Sequence, residues 1–175
     1  EAFLEPTRID AQLLWFASGF VEYRFPKKLP PRAALESLSL SMEICSEAAG
    51  YAEDWPSDIT LWINGVDVGT WTSPGDFGKQ HGLLNPDWWS SNHTQYGLLK
   101  IWQVTNTGSF IDGILISNKT IADLNVQDQP YISVRIGVKP DAEFQGGVNL
   151  FGRYFGNYPQ DMLLRLVYDK QELAK

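Results

Sequence analysis

Apolar and polar residues alternate along several short segments, which is the pattern of β-strands that bury one face. The clearest case is 37–44, where leucine, methionine and isoleucine take every second position and serine or glutamate the positions between. Segment 131–138 alternates in the same way. Apolar runs predict further strands over residues 12–16, 20–25, 98–104, 111–116, 148–155 and 162–168. Asp112-Gly113 and Asn118-Lys119 indicate bends within or between them.

No segment shows a helical period, and about nine or ten short strands are separated by glycine, proline and asparagine. This pattern predicts an all-β fold, an antiparallel two-sheet β-sandwich that is jelly-roll-like, with a closed barrel as the alternative. A length of 175 residues fits one domain over 1–175. The first six residues and the last six are expected to be tails.

Asn64-Gly65 lies between two alternating runs and predicts a two-residue hairpin, because a type I′ turn needs positive φ at both positions. In the regular register, Leu61 would lie opposite Val68 and Ile59 opposite Thr70. That face is aliphatic and would contact the core. The other face would carry Thr60, Trp62, Asp67, Gly69 and Trp71.

The segment 73–96 is a long loop rich in tryptophan, glycine, proline and asparagine. Loops of this length are usually functional or disordered, and the aromatic content argues against disorder. We expect it to cover Trp62 and Trp71, with a ligand platform between. The alternative is that its aromatic residues only pack the loop onto the sheet.

The net charge is −7, the pI is about 4.7, and the 14 lysines and arginines are scattered. These values argue against a nucleic-acid or anionic-membrane surface on this chain. The apolar runs are too short for a transmembrane helix. The single cysteine, Cys45, excludes an internal disulfide and favours a reducing, cytoplasmic location.

Catalytic and metal chemistry have weak support in the sequence. The two histidines, His81 and His93, match no metal-ligand spacing. Cys45 has no flanking catalytic partner, and G-x-S-x-G is absent. Asp76 with Asp87, or Asp67 with Asp112, would serve glycoside hydrolysis only if the fold joined them. We therefore expect no enzyme, no cofactor and no metal.

Aromatic density is the stronger signal. Six of the seven tryptophans lie between residues 55 and 102. Flat rings joined by a few polar groups are typical of small-molecule sites, including sugar sites. The predicted ligand-binding residues are Trp62, Trp71, Asp76, Phe77, His81, Asn85, Trp88, Trp89, Gln95, Tyr96, Trp102 and Arg153.

Three motifs resemble the C-terminal region of bacterial transcriptional regulators with an N-terminal winged helix of the ArsR or DeoR type. They are I-N-G-V-D-V-G-T-W-T-S-P-G-D-F-G, G-L-L-N-P-D-W-W and T-Q-Y-G-L-L-K-I-W-Q-V. The resemblance implies the effector-sensing or dimerising domain of such a regulator, which would contact DNA only through a preceding domain. A small-molecule effector and a homodimer are the expected partners.

Three other hypotheses stay open. A carbohydrate-binding module would bind glycans as an isolated domain. A jelly-roll enzyme acting on sugars would place two carboxylates roughly 5–10 Å apart in a cleft. A purely structural dimerisation domain would show a large apolar interface and no pocket.

Overall fold

The computed structural model describes residues 4–30 and 33–169. The expected tails therefore lie partly outside the described residues. Strands account for 48% of the chain and helical turns for 8%, so the expected all-β class is confirmed. The helical turns are short 3-10 segments at Pro6–Asp10, Ile121–Leu124 and Val126–Asp128. No helix within the described ranges is long and apolar enough to span a membrane.

In the described ranges, eleven strands form two antiparallel sheets that pack against each other. The small sheet has the order β2-β9-β4-β5, and the large sheet has the order β1-β10-β3-β6-β7-β8, with β11 also paired to β3. The strands are β1 Leu13–Phe16, β2 Gly19–Pro26, β3 Ala34–Cys45, β4 Ser57–Ile63, β5 Val66–Ser73, β6 Leu98–Thr105, β7 Ser109–Ile111, β8 Ile114–Ser117, β9 Tyr131–Val138, β10 Val148–Phe151 and β11 Leu163–Asp169.

The strand order is that of a jelly roll. Without β7, β8 and β11, the eight remaining strands form two four-stranded sheets with the orders 1-10-3-6 and 2-9-4-5. Two interlocked Greek keys produce this arrangement. The hairpin β7–β8 is an addition beyond β6, and β11 is an addition beside β3.

The main core lies between the sheets and is built from the alternating positions that the sequence indicates. Leu38, Leu40 and Met42 of β3 face Ile132, Val134 and Ile136 of β9, and all are buried. Burying each such side chain contributes about 1.5–3 kcal/mol. These alternating apolar positions therefore supply the main driving force for the fold.

The β4–β5 hairpin has the predicted turn, with φ of 50° at Asn64 and 81° at Gly65. Its predicted register is wrong beyond Asp67. A β-bulge makes Leu61 pair with Gly69 and Ile59 pair with Trp71. A one-residue shift moves side chains to the opposite face of a strand, so Trp62 and Trp71 lie on different faces.

The predicted strand 111–116 is not continuous, and the bend predicted at Asp112-Gly113 is a full turn. It is a hairpin in which β7 ends at Ile111 and β8 begins at Ile114. Asp112 and Gly113 form its turn, with φ of 48° and 83°. Both values are positive, as a type I′ turn requires.

Candidate functional site

The long loop, residues 74–97, lies on the outer face of the large sheet. Phe77 and Trp89 pack there against a second apolar cluster that contains Cys45, Phe151 and Phe155. The Trp89 ring meets Phe155 edge to face, with 5.0 Å between ring centroids. The expected position over Trp62 and Trp71 is therefore wrong, because the loop covers the region where β1, β10 and β3 meet.

Trp71 and Trp102 belong to the main core. Trp102 is 1% exposed, and its ring meets Trp71 edge to face, with 6.3 Å between centroids. The ammonium of Lys100 lies 4.9 Å from the centroid of the Trp71 ring. Trp62, in contrast, is half-buried on the outer face of the small sheet. It lies opposite Asp67 of β5 and Arg135 of β9 in the strand register.

Asp76 is the centre of a buried polar cluster beneath the long loop, formed by Ser46, Asp76, Thr94 and Asn149. The Asp76 Oδ2 atom accepts hydrogen bonds from the Ala48 amide at 3.0 Å and the Thr94 hydroxyl at 2.8 Å. The Asn149 amide approaches the same oxygen at 3.4 Å and donates to the Ser46 carbonyl at 2.7 Å. The cluster thus joins β10, the segment after β3 and both ends of the loop.

Three buried side-chain oxygens of this cluster have no hydrogen-bond partner within the described part of the chain. They are Asp76 Oδ1, Asn149 Oδ1 and Ser46 Oγ. The three residues are at most 1% exposed. An unpartnered buried polar atom costs about 1–3 kcal/mol. The cluster is consequently a place where a bound group would gain unused hydrogen bonds.

Burial raises the pKa of Asp76 to about 6, although hydrogen bonds from Ala48, Thr94 and Asn149 act in the opposite direction. Burial also raises the pKa of neighbouring Glu47, and the charge of Asp76 adds to that shift. At neutral pH the Asp76 carboxyl is therefore mainly ionised, and one of its oxygens has no partner among the described residues. Such a group favours hydrogen-bond donors and positive charge.

Asn85 and Gln95 hold the two halves of the long loop together. The Asn85 side-chain amide donates to the Gln95 backbone carbonyl at 2.8 Å and to the Gln95 side-chain oxygen at 3.0 Å. Asn85 Oδ1 accepts the Gly156 amide at 2.7 Å. The Gln95 side-chain nitrogen donates to the carbonyls of Ser90 and His93. These side chains are internally satisfied and stabilise the closed loop.

The other aromatic residues of the loop separate into packed and exposed ones. Phe77 stacks on Tyr96 with 5.4 Å between centroids, and the Trp89 indole donates to the Thr94 carbonyl at 2.8 Å. Trp88 is 78% exposed. His81 is exposed, with Nε2 lying 3.3 Å from the Asn85 carbonyl.

Arg153 lies in the connection from β10 to β11 and pairs with Asp161, with 2.6 Å between Nε and Oδ2. Both side chains are 52% exposed. The pKa of Arg153 is raised by this hydrogen bond and by the charge of Asp161. An exposed pair of this kind contributes little stability.

Glu43 is a buried anchor that sequence reasoning placed only on the polar face of β3. Its carboxylate accepts the backbone amides of Gly97 at 2.8 Å, Asn157 at 2.9 Å and Tyr158 at 2.9 Å. Burial raises its pKa, and these three bonds oppose the shift. Glu43 therefore joins the end of the long loop to the β10–β11 connection. The sequence marks this residue only as the one acidic side chain that follows three serines on the same face of β3.

Cys45 is fully buried, and burial followed by the charge of Asp76 raises its thiol pKa well above the ordinary value. This is the opposite of an activated thiolate. Within residues 4–30 and 33–169, no three histidine, cysteine or acidic side chains gather in a possible metal site.

Two surface depressions lie away from every predicted site residue. One, of about 550 Å³, is bordered by the start of β3 and the helical turns at 121–128. The other, of about 410 Å³, is bordered by the β6–β7 turn and Phe110.

No protein-family model, no curated protein and no solved structure matches this chain.

Proposed function

We propose that this chain is a non-catalytic, ligand-sensing domain of a bacterial transcriptional regulator. In this proposal the ligand binds the buried polar cluster beneath the long loop. The observation that carries it is the presence of three unpartnered oxygens, on Ser46, Asp76 and Asn149, in one hydrogen-bonded cluster. The assignment to a regulator rests on the sequence resemblance over residues 63–104.

The free atoms define the chemistry of the ligand. Asp76 Oδ1 and Asn149 Oδ1 are acceptors, and the Ser46 hydroxyl can accept or donate. A group that donates two or three hydrogen bonds, such as a primary ammonium or vicinal hydroxyls, complements them. A carboxylate or phosphate would face the ionised Asp76 and the half-buried Glu47.

Signalling would follow from opening and closing of the long loop. A ligand that contacts the cluster only in the closed state shifts the population toward that state. The closed loop is joined through Glu43 to the β10–β11 connection. A change in the loop therefore reaches the β10–β11 connection, and a coupling of about 1–3 kcal/mol is typical of such sites.

The positions of the acidic residues support a non-catalytic role. Asp67 pairs with Lys139 on the small sheet, and Asp112 pairs with Lys100 beside the β7–β8 turn. Asp76 is buried under the long loop, and Asp87 is exposed on it. These four aspartates thus lie in four different places in the fold. Glycoside hydrolysis needs two carboxylates across one cleft.

Thermal unfolding in the presence of defined hydrogen-bond donors tests the ligand proposal. The probes are glucose, ribose, inositol, ethanolamine, putrescine and spermidine. We expect at least one to raise the wild-type Tm by several degrees and to have no effect on Asp76→Asn. Ile114→Ala, at a position of β8 that is 68% exposed, should keep the response. No shift with any probe would contradict the proposal.

The proposed regulatory role is tested with the protein as it is made in the cell. A winged-helix domain before Glu1, with operator binding that changes at least fivefold when the active probe is added, would support it. Full-length protein whose DNA binding ignores the probe would contradict it, and so would a parent chain without a DNA-binding domain.

A second copy of this chain is the other proposed partner, at the outer face of the large sheet. Leu163, Ser41 and Ile101 form one cross-strand row there, and both apolar ends are over 40% exposed. The neighbouring cross-strand row consists of Arg165, Ser39 and Gln103, of which Arg165 is charged. A face with so little charge lets two copies of net charge −7 approach each other.

Sedimentation between about 1 and 100 µM tests this contact. We expect a concentration-dependent dimer for the wild type and a monomer for Ile101→Glu. Leu83→Glu, at an exposed position of the long loop, is the matched control and should still form the dimer. A monomeric wild type would exclude the contact.

A further inference from the structure

The outer face of the small sheet carries a row of aligned side chains that the folding of the core does not require. In the strand register, Glu22 lies opposite Arg135, Arg135 opposite Trp62, and Trp62 opposite Asp67. The row therefore crosses all four strands of the small sheet. All four point away from the main core. A half-buried tryptophan among charged neighbours on an open face is a feature of recognition surfaces.

The polar groups of this face are held in place before any ligand arrives. The Arg135 guanidinium bonds to the Glu22 carboxylate at 3.0 Å and lies 4.0 Å from the centroid of the Phe20 ring. Asp67 accepts the Gly69 amide at 2.9 Å and pairs with Lys139 at 2.6 Å. Binding would thus cost little side-chain entropy.

Trp62 differs from the other rings of the same face. The guanidinium of Arg135 occupies the Phe20 ring, and that of Arg24 lies 4.7 Å from the Tyr131 centroid. Within residues 4–30 and 33–169, no cation lies over the Trp62 ring. Among the described residues, its indole is therefore the half-buried ring of this face that no cation covers.

We propose that this face is a second binding site, independent of the loop cluster, and that it takes a neutral saccharide. One sugar ring stacks on Trp62, and its hydroxyls bond to Arg135 and Asp67. The positive Arg135 and the negative Asp67 flank the ring, and each already has an ion-pair partner. A charged ligand would therefore be repelled by one of these two side chains. A neutral polyhydroxyl ligand offers donors to the carboxylates and acceptors to the guanidinium.

Calorimetric titration with neutral hexasaccharides tests the site, using cello-, xylo-, manno- and chito-hexaose on the wild-type chain. We expect binding of at least one, and a loss of about tenfold or more in affinity for Trp62→Ala. Trp62→Phe should recover part of the affinity, because it restores a stacking ring. Arg135→Lys should weaken binding too, which keeps the test valid if Trp62→Ala fails to fold.

Two controls separate this site from the loop cluster. Trp88→Ala removes the 78% exposed tryptophan of the long loop and should bind the saccharide unchanged. Asp76→Asn should also bind it unchanged, although it abolishes the response assigned to the cluster. Absence of binding by the wild type would overturn the proposal. Equal affinity of wild type and Trp62→Ala, or loss of binding in Trp88→Ala, would also overturn it.

Discussion

At the scale of single residues, Asp76 is the group whose environment conflicts most with its chemistry. A carboxylate is solvated best in water, yet this one is 0% exposed, and one of its oxygens has no partner in the part of the chain that the structure describes. Its pKa of about 6, against an ordinary value of 3.8, expresses that conflict. The charged form costs free energy in the folded state, whereas it costs none in the unfolded chain.

The pH dependence of unfolding follows from this shift. Because the folded pKa is the higher one, the contribution of Asp76 to stability is greatest below pH 3.8 and is lost as pH rises through about 6. The loss is at most about 3 kcal/mol, since one pKa unit corresponds to about 1.4 kcal/mol. Urea unfolding of wild type and Asp76→Asn from pH 4 to pH 7.5 measures it.

We expect the stability of Asp76→Asn relative to wild type to increase across that pH range. Glu43 and Glu47 are present in both proteins, so their titrations largely cancel in the difference. A difference that does not change with pH would contradict the raised pKa.

At the scale of elements, the bulge in the β4–β5 hairpin decides where the aromatic residues point. Gly69 has φ of 133°, a conformation that side chains other than glycine rarely adopt. It pairs with Leu61 and faces the side chain of Ile116 from β8. The glycine thus lets β8 approach β5 and turns Trp71 into the core.

Alanine substitution of one glycine in the β4–β5 hairpin and one in the β7–β8 hairpin distinguishes the cost of backbone strain from the cost of a steric clash. Gly113→Ala places a methyl group in open space at a φ of 83° and should cost about 1 kcal/mol. Gly69→Ala adds a clash with Ile116 and should cost about 2–4 kcal/mol in total. Guanidinium unfolding of both variants measures these values. Equal costs would show that β8 does not pack against Gly69.

At the scale of the whole molecule, the described residues form two apolar cores of unequal size. The main core fills the space between the sheets, and the second lies between the large sheet and the long loop. Regions with fewer buried contacts open at lower free energy than the global transition. The second core should therefore open separately.

Cys45 reports that opening, because it is fully buried in the second core. The rate of thiol labelling under native conditions, relative to the unfolded chain, gives the free energy of opening. We expect a value below the global free energy of unfolding, and a higher one with a bound ligand under the loop. Equal values for opening and unfolding would show that the loop does not open by itself.

The sequence by itself determined the core faces of β3 and β9 and the first hairpin turn. Alternation over 37–44 and 131–138 marks the core face of β3 and β9 correctly, since side chains of a strand alternate between faces. Asn64-Gly65 also determines its turn locally, through positive φ at both positions.

Only the tertiary structure decided which surfaces meet. Trp71 enters the core because one bulge residue shifts the register, and no alternation pattern contains that shift. Glu43 is buried because Gly97, Asn157 and Tyr158 arrive from segments more than 50 residues away. Periodicity states which face a side chain occupies, but long-range packing determines what covers that face.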